Sequence, residues 1–284
     1  MQRVCCTVGK FNAFHKGHQK LIEEAKRRCD RVIALSIRGK GIELFSERER
    51  EEIARELGVE LINLPFEEVK ELSPEGFLEF LKGLGCNTLV VGREWRFGKN
   101  RSAGVKEAQE IGKKLGIEVL PVEPVMEGSE KVGTSKIFNL LSEGRVKEAN
   151  RLLGFPYFVI GKVVKGRGVG SKMGFPTLNV EVGRELPLRR GVYVVKVELD
   201  GRELYGLANY GVRPTFGGSV PTLEVHLPGE ELPPLYGKEV KVKFLDFIRP
   251  ERAFKTVDEL KEQIKLDITK FKTILEERVG RSAE

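Results

Sequence analysis

With 284 residues and 40% apolar content, the chain is long enough for two modest cored domains, and no apolar run approaches the ~20 residues of a membrane helix. The opening Met-Gln-Arg-Val-Cys-Cys lacks the apolar stretch of a signal peptide. Cys5, Cys6, Cys29 and Cys86 show no Cys-x-x-Cys spacing, so neither a zinc site nor a disulfide framework is expected and a reducing cytoplasm is the simplest compartment. The net charge of +7 leaves nucleic acid and phosphorylated small molecules open as partners, but no Lys/Arg run interleaved with aromatics supports the first.

Arg3 to Val8 reads as a buried strand. It turns through Gly9-Lys-Phe-Asn-Ala-Phe-His-Lys-Gly-His18 into a helix reaching Arg28, with Leu21, Ile22, Ala25 and Cys29 on one face. Asp30 to Ile37 is a second strand. Ser46-Glu-Arg-Glu49 is a capping box that opens a helix to about Leu57, ended by Gly58. Leu61 to Leu64 is the next strand, and Ser73-Pro74-Glu75 opens a helix with Pro in its first position. Thr88 to Val91, a helix from Val105 to Leu115 closed by Gly116, and a strand from Ile117 to Pro121 follow. Strands alternating with helices predict a parallel α/β sheet. Helical patterns then run from Ser135 to Leu153, and Gly154-Phe-Pro156 is the expected boundary between domains 1–154 and 155–284.

Beyond that boundary short strands separated by Gly and Pro dominate: Tyr157–Val164, Gly191–Leu199, Leu204–Asn209, Leu223–Leu227 and Glu239–Phe247. They predict a compact antiparallel β-barrel. A last helix, about Val257 to Arg278, carries Leu260, Ile264, Ile268, Phe271 and Leu275 as a core-packing stripe. The high charged fraction, 32%, with scarce Gln leans toward a thermophilic source.

Two stretches carry chemistry. His15-Lys-Gly-His18 lies at the first strand-to-helix turn, where open α/β sheets bind ligands and a helix N-terminus attracts phosphate. His15 and His18 share a helical face, and Gly17 is expected to leave the space between them open. Two imidazole donors with backbone N–H groups suit a pentavalent phosphorus, with no covalent nucleophile required. In the second half, Lys165-Gly-Arg-Gly-Val-Gly-Ser-Lys-Met-Gly174 is open and cationic, as a phosphate-holding loop is. The strand starting at Pro176-Thr177-Leu178-Asn179 puts Thr177 and Asn179 on one face, an oxygen pair suited to Mg²⁺ held mainly by phosphate and water. In Thr222-Leu-Glu-Val-His-Leu227, Leu223, Val225 and Leu227 form an apolar side, with Glu224 and His226 opposite.

Gly-Phe-Pro-Thr-Leu-Asn179 resembles the Pro-Thr-Ala-Asn motif of riboflavin kinases. Arg190-Gly-Val-Tyr193, Asn209-Tyr-Gly-Val-Arg-Pro-Thr-Phe216, Glu224-Val-His226, Leu235-Tyr-Gly237 and Phe247-Ile-Arg-Pro-Glu251 follow in that family's order. His15-x-Gly-His18 resembles the nucleotidyltransferase signature, and Val90-Val-Gly-Arg-Glu-Trp-Arg-Phe-Gly98 resembles the FMN adenylyltransferase motif. The whole chain is similar to the prokaryotic bifunctional riboflavin kinase/FMN adenylyltransferases, or FAD synthetases. The resemblance implies a Rossmann-like nucleotidyltransferase domain followed by a riboflavin kinase barrel. It implies riboflavin, FMN, FAD and ATP as ligands, and Mg²⁺ as cofactor. Glu224, His15 and His18 are then the catalytic residues. ATP is held by Gly9, Phe11, Asn12, Gly17 and Ser135 in the first domain, and by Gly166, Gly170, Lys172, Thr177 and Asn179 in the second, where Thr177 and Asn179 also meet the metal. Glu94, Arg96 and Phe97 would meet flavin; Arg249 would either neighbour it or cap a turn. Neither a nucleic acid nor a membrane is an expected partner, and no signal bears on oligomeric state.

The departures fall mostly in the first half. Leu178 replaces an Ala. Asn12-Ala13 stands for Asp-Gly, Gly39-Lys-Gly-Ile-Glu43 stands where Pro-His-Pro is usual, and Phe138 replaces a phosphate-facing Arg, for which Lys136 is a partial substitute. One lost charge-assisted hydrogen bond costs about 1.5–3 kcal/mol, roughly ten- to a hundredfold in rate. The expectation is slower adenylylation; a kinase with a degenerate nucleotide-binding N-terminal domain is the alternative.

Overall fold

The computed structural model describes residues 2–166, 177–215 and 218–282. The chain divides into two compact units, Met1–Lys136 and Ile137–Glu284.

The first unit runs β1 (Val4–Gly9), α1 (Lys16–Arg28), β2 (Arg31–Arg38), α2 (Glu47–Leu57), β3 (Glu60–Pro65), α3 (Phe66–Val69), α4 (Pro74–Gly83), β4 (Thr88–Gly92), α5 (Val105–Leu115) and β5 (Glu118–Val122). The five strands form one parallel sheet in the order β3-β2-β1-β4-β5, with β1 central. Predicted punctuation holds. Ser46 and Glu49 form a reciprocal capping box, Gly58 ends α2 in the left-handed conformation, and Pro74 opens α4 behind the Ser73 cap. Cys6, Val8, Ile33, Leu35, Leu89 and Val91 of the sheet pack with Phe77, Leu78 and Leu81 of α4 and Ala108 of α5. A short hairpin, β6 (Met126–Glu127) with β7 (Glu130–Lys131), was not expected.

The cysteine reading is corrected. Cys5 is bonded to Cys29 and Cys6 to Cys86, with Cα–Cα distances of 5.6 and 5.8 Å. Cys5 and Cys6 are adjacent on β1 and point to opposite faces of the sheet. One meets the cap of α1, the other the turn after α4. Pairing by sheet face leaves no trace in sequence spacing.

The helical patterns read from Ser135 to Leu153 are two helices, α6 (Thr134–Ser142) and α7 (Val146–Leu153). Gly144, at φ 81°, stands between them. The second unit continues with β8 (Phe158–Val164), β9 (Thr177–Glu181), β10 (Gly191–Leu199), β11 (Arg202–Thr215), β12 (Gly218–His226), β13 (Glu239–Pro250) and α8 (Val257–Ser282). The strands close a barrel in the order β10-β11-β12-β9-β8-β13. Tyr193, Val195, Ala208, Tyr210, Leu223, Val225, Val242 and Phe244 are buried on one strand face and fill it. Val192, Val194, Leu207 and Leu245 lie on the other face, under Phe271, Ile268 and Leu275 of α8.

Candidate active sites

The β1–α1 loop builds the first site. His15 is the N-cap of α1, and its Nδ1 accepts the Gly17 N–H at 3.1 Å. That bond leaves the proton of a neutral imidazole on Nε2. A Cβ on residue 17 would lie 2.9 Å from Cε1 of His15, so glycine is required there. The expected gap between the histidines is absent. Their rings stack at 3.8 Å between centroids and 17°, because the helical turn brings them face to face. Burial lowers His15 to about 4, with the Lys131 charge acting in the same direction. Burial, then His15, holds His18 well below the ordinary imidazole range. Both are neutral donors at neutral pH. Phe11 packs on His18 at 4.9 Å.

Asn12 is almost buried, and both ends of its amide are engaged. Nδ2 donates to the Ile42 carbonyl at 2.7 Å, and Oδ1 accepts from Arg38 at 2.6 Å. It fastens the Gly39–Glu43 segment to the loop that follows Gly9. Ser135 is exposed in the first turn of α6, and Lys136 is ion-paired with Glu130.

After β4, the predicted flavin loop lines a cleft of about 510 Å³ together with Glu107 and Pro121. Glu94 is exposed and bonded to Lys131 at 2.7 Å, while Arg96 folds back on the carbonyls of Arg101 and Ser102. Phe97 is 5% exposed and belongs to the core. The ring lining the cleft is Trp95, stacked on Phe97 at 4.4 Å. Sequence reading passed over Trp95. It lies two positions before Phe97, so extended backbone puts both rings on one side, where Trp95 covers the buried Phe97 and is the outer of the two.

In the second unit, Asn179 of β9 lies directly opposite Glu224 of β12, and Glu224 directly opposite Asn209 of β11. Opposed residues leave the sheet on one face with Cβ atoms about 5 Å apart, so an amide, a carboxylate and an amide stand in a row. Thr177 and His226 form the next opposed pair. Thr177, Asn179 and Gly166 line a cleft of about 460 Å³ walled by Glu230, Pro233 and Tyr236. A side chain on residue 166 would run into the Asn179 amide, so the backbone closes directly on it. Gly170 and Lys172 lie outside the described residues. Arg249 is held elsewhere than at a turn: its guanidinium is bidentate to Asp267 of α8 at 2.9–3.0 Å, and Gln263 donates to the same carboxylate. Asp267, 3% exposed, was not singled out from the sequence.

Among the described residues no group of His, Cys, Asp and Glu side chains could cage a metal. Thr177 and Asn179 offer neutral oxygens beside an open cleft, a donor set that fits a cation carried in by phosphates.

A riboflavin kinase family model matches residues 153–275 and an FAD synthetase model residues 33–136. The chain is 32% identical over 280 residues to the bifunctional riboflavin kinase/FMN adenylyltransferase of Escherichia coli K12, spanning 92% of this chain and 89% of that one. To the enzyme of the same description from Haemophilus influenzae it is 29% identical, over 94% and 93% of the two chains. A solved Streptococcus pneumoniae structure described as a macrolide-efflux protein superposes with a TM-score of 0.84 at 28% identity, covering 94% of this chain and 93% of that one. Here, among the described residues, no helix is long and apolar enough to cross a membrane.

Proposed function

The chain belongs to the bifunctional riboflavin kinase/FMN adenylyltransferase family, and we propose that residues 155–284 phosphorylate riboflavin while residues 1–154 adenylylate the FMN so formed. It is an ATP-using transferase of flavin cofactor synthesis, making FMN and then FAD with release of pyrophosphate. The kinase-only alternative is not supported, because the relatives match over both halves.

The observation that carries the kinase assignment is the Asn179–Glu224–Asn209 row beside the Thr177 cleft. Glu224 takes the proton of the ribityl terminal hydroxyl as its oxygen attacks the γ-phosphorus, and ADP departs. Thr177 and Asn179 hold the nucleotide's metal-bearing phosphates, with the Gly166 backbone closing behind. Thr177 and Asn179, with those phosphates, would hold Mg²⁺, which would supply positive charge against that gathering on the transferred phosphoryl group.

In the first unit an FMN phosphate oxygen attacks the α-phosphorus of ATP and pyrophosphate leaves. His15 and His18 donate N–H bonds to the oxygens on which charge develops. Trp95 offers its ring to the isoalloxazine, with Glu94 and Arg96 at the rim. We place the enzyme in the cytoplasm, where its two disulfides match the exception made by intracellular proteins of hyperthermophiles. Purified protein given riboflavin, ATP and Mg²⁺, with flavins separated by chromatography, tests the pair of activities. Glu224→Gln should leave only FMN-dependent FAD formation, and His15→Ala with His18→Ala only FMN formation.

A further inference from the structure

The loop between β1 and α1 contains two non-glycine residues in left-handed backbone, Phe11 at φ 45° and Phe14 at φ 48°. Such conformations persist at a site only when the surroundings over-determine them. Both rings are fully buried and pack at 5.3 Å, and Phe11 lies against His18. The packing alone does not fix the carbonyls of the loop, which have left the sheet ladder.

One side chain does. Arg50, in the first half of α2, is 1% exposed. Its Nε donates to the Phe11 carbonyl at 3.1 Å, and its Nη2 donates to Ser36 Oγ and to Asn63 Oδ1, each at 2.7 Å. Ser36 passes the connection on, donating to the Lys10 carbonyl at 2.6 Å. A single guanidinium therefore ties two consecutive loop carbonyls to β2 and β3. All three acceptors are neutral. Burying a charge among neutral acceptors is costly for stability, and apolar replacements often do better. Burial and the nearby Arg38 lower its pKa to about 10, which still leaves it charged at neutral pH.

We propose that Arg50 is the positioning residue of the adenylyl-transfer site: through Phe11 it sets the height and tilt of the stacked His15–His18 pair, without touching substrate. The inference rests on the reading of those histidines as the transfer site. The planar fork is the essential feature, because a point charge cannot serve the loop carbonyl and both strand acceptors in one plane.

The test uses the full chain, in which riboflavin phosphorylation is an internal control. Arg50→Lys keeps charge and most of the volume but loses the fork. Expected is a fall in kcat for FAD formation of roughly 10- to 100-fold, as for a misplacement of about 1 Å. KM for FMN should change by less than about threefold, with FMN formation unaltered, the thermal midpoint largely kept, and the imidazole proton resonances of His15 and His18 displaced. Arg50→Met is the harsher variant; if it unfolds the first unit, the Lys variant carries the test. Wild-type kcat in Arg50→Lys, or a loss that only follows the unfolded fraction in a melt, overturns the proposal. His15→Ala and His18→Ala are run alongside. If they retain FAD formation, the site reading fails; if they abolish it while Arg50→Lys is silent, only the positioning role fails.

Discussion

His15 and His18 present their rings to each other at 3.8 Å, nearly parallel, with the Nδ1 of His18 buried and without a hydrogen-bond partner. A proton on either ring would set a cation against its neighbour in a dry site. The folded state therefore binds fewer protons than the unfolded chain wherever pH lies below the ordinary imidazole value and above the lowered one. Stability rises with pH across that interval. For His15 the window runs from about 6.5 down to about 4. The contribution is complete above it and lost on descending through it. Urea melts of the first unit at pH 7.5 and 4.5 should differ by about 3 kcal/mol more in the wild type than in a His15→Gln chain. Equal differences would show that the folded rings bind protons as readily as the unfolded chain does.

Glu224→Gln should reduce FMN formation by ~10²–10⁴-fold, the usual loss on removing a general base. ATP affinity should hardly move, and FAD formation from supplied FMN should be untouched. Quenched-flow measurement of FMN decides it; unchanged turnover would remove Glu224 from the mechanism.

Thr177→Ala with Asn179→Ala should raise the Mg²⁺ concentration needed for FMN formation and leave FAD formation alone. Gly166→Ala, whose new methyl would displace the Asn179 amide, should act in the same direction. A Mg²⁺ titration superimposable on wild type would make this edge of the barrel purely structural.

The side chains of Arg249 and Asp267 are 15% and 4% exposed, so the pair is nearly dry. Removing one partner of such a pair costs about 3–5 kcal/mol. Asp267→Ala should lower the denaturation midpoint of the second unit accordingly, release α8 to faster hydrogen exchange and weaken FMN formation indirectly. If Arg249→Ala changes riboflavin KM with no loss of stability, Arg249 meets flavin instead of anchoring α8.

Reduction should weaken the first unit. The bridges close sequence separations of 24 and 80 residues, for which the chain-entropy account gives about 3–5 kcal/mol each, less in combination because the loops overlap. A phosphine reductant should lower the urea midpoint of the first unit and leave that of the second in place. Coincident melts with and without reductant would show the bridges carry no stability.

What the sequence disclosed follows its periodicities. Strand alternation, the Ser46 box and Pro74 located the sheet, its helices and the barrel. What it hid was charge on the wrong side of a helix. Glu47-Arg-Glu-Arg-Glu-Glu52 reads as solvated, yet Arg50 precedes Ile53 and Ala54 by three and four positions and so shares their buried face. Asp267 sits four before Phe271 in the same way. A guanidinium and a carboxylate on apolar stripes were legible as positions, but their partners, Phe11 and Arg249, come from remote segments that no local pattern links to them.

The cysteine pairs carry a consequence for biogenesis. Four thiols admit three connectivities, and Cys5 and Cys6 are neighbours, so a swap needs only a half-turn of the first strand. A chain whose β1 entered one place out of step would offer Cys6 to Cys29 and Cys5 to Cys86, and oxidation would seal the mistake. Oxidation after correct threading seals the central strand instead. The bridges thus act as proofreading marks: a peptide map that finds any Cys5–Cys86 linkage counts the molecules whose innermost strand was laid down inside out.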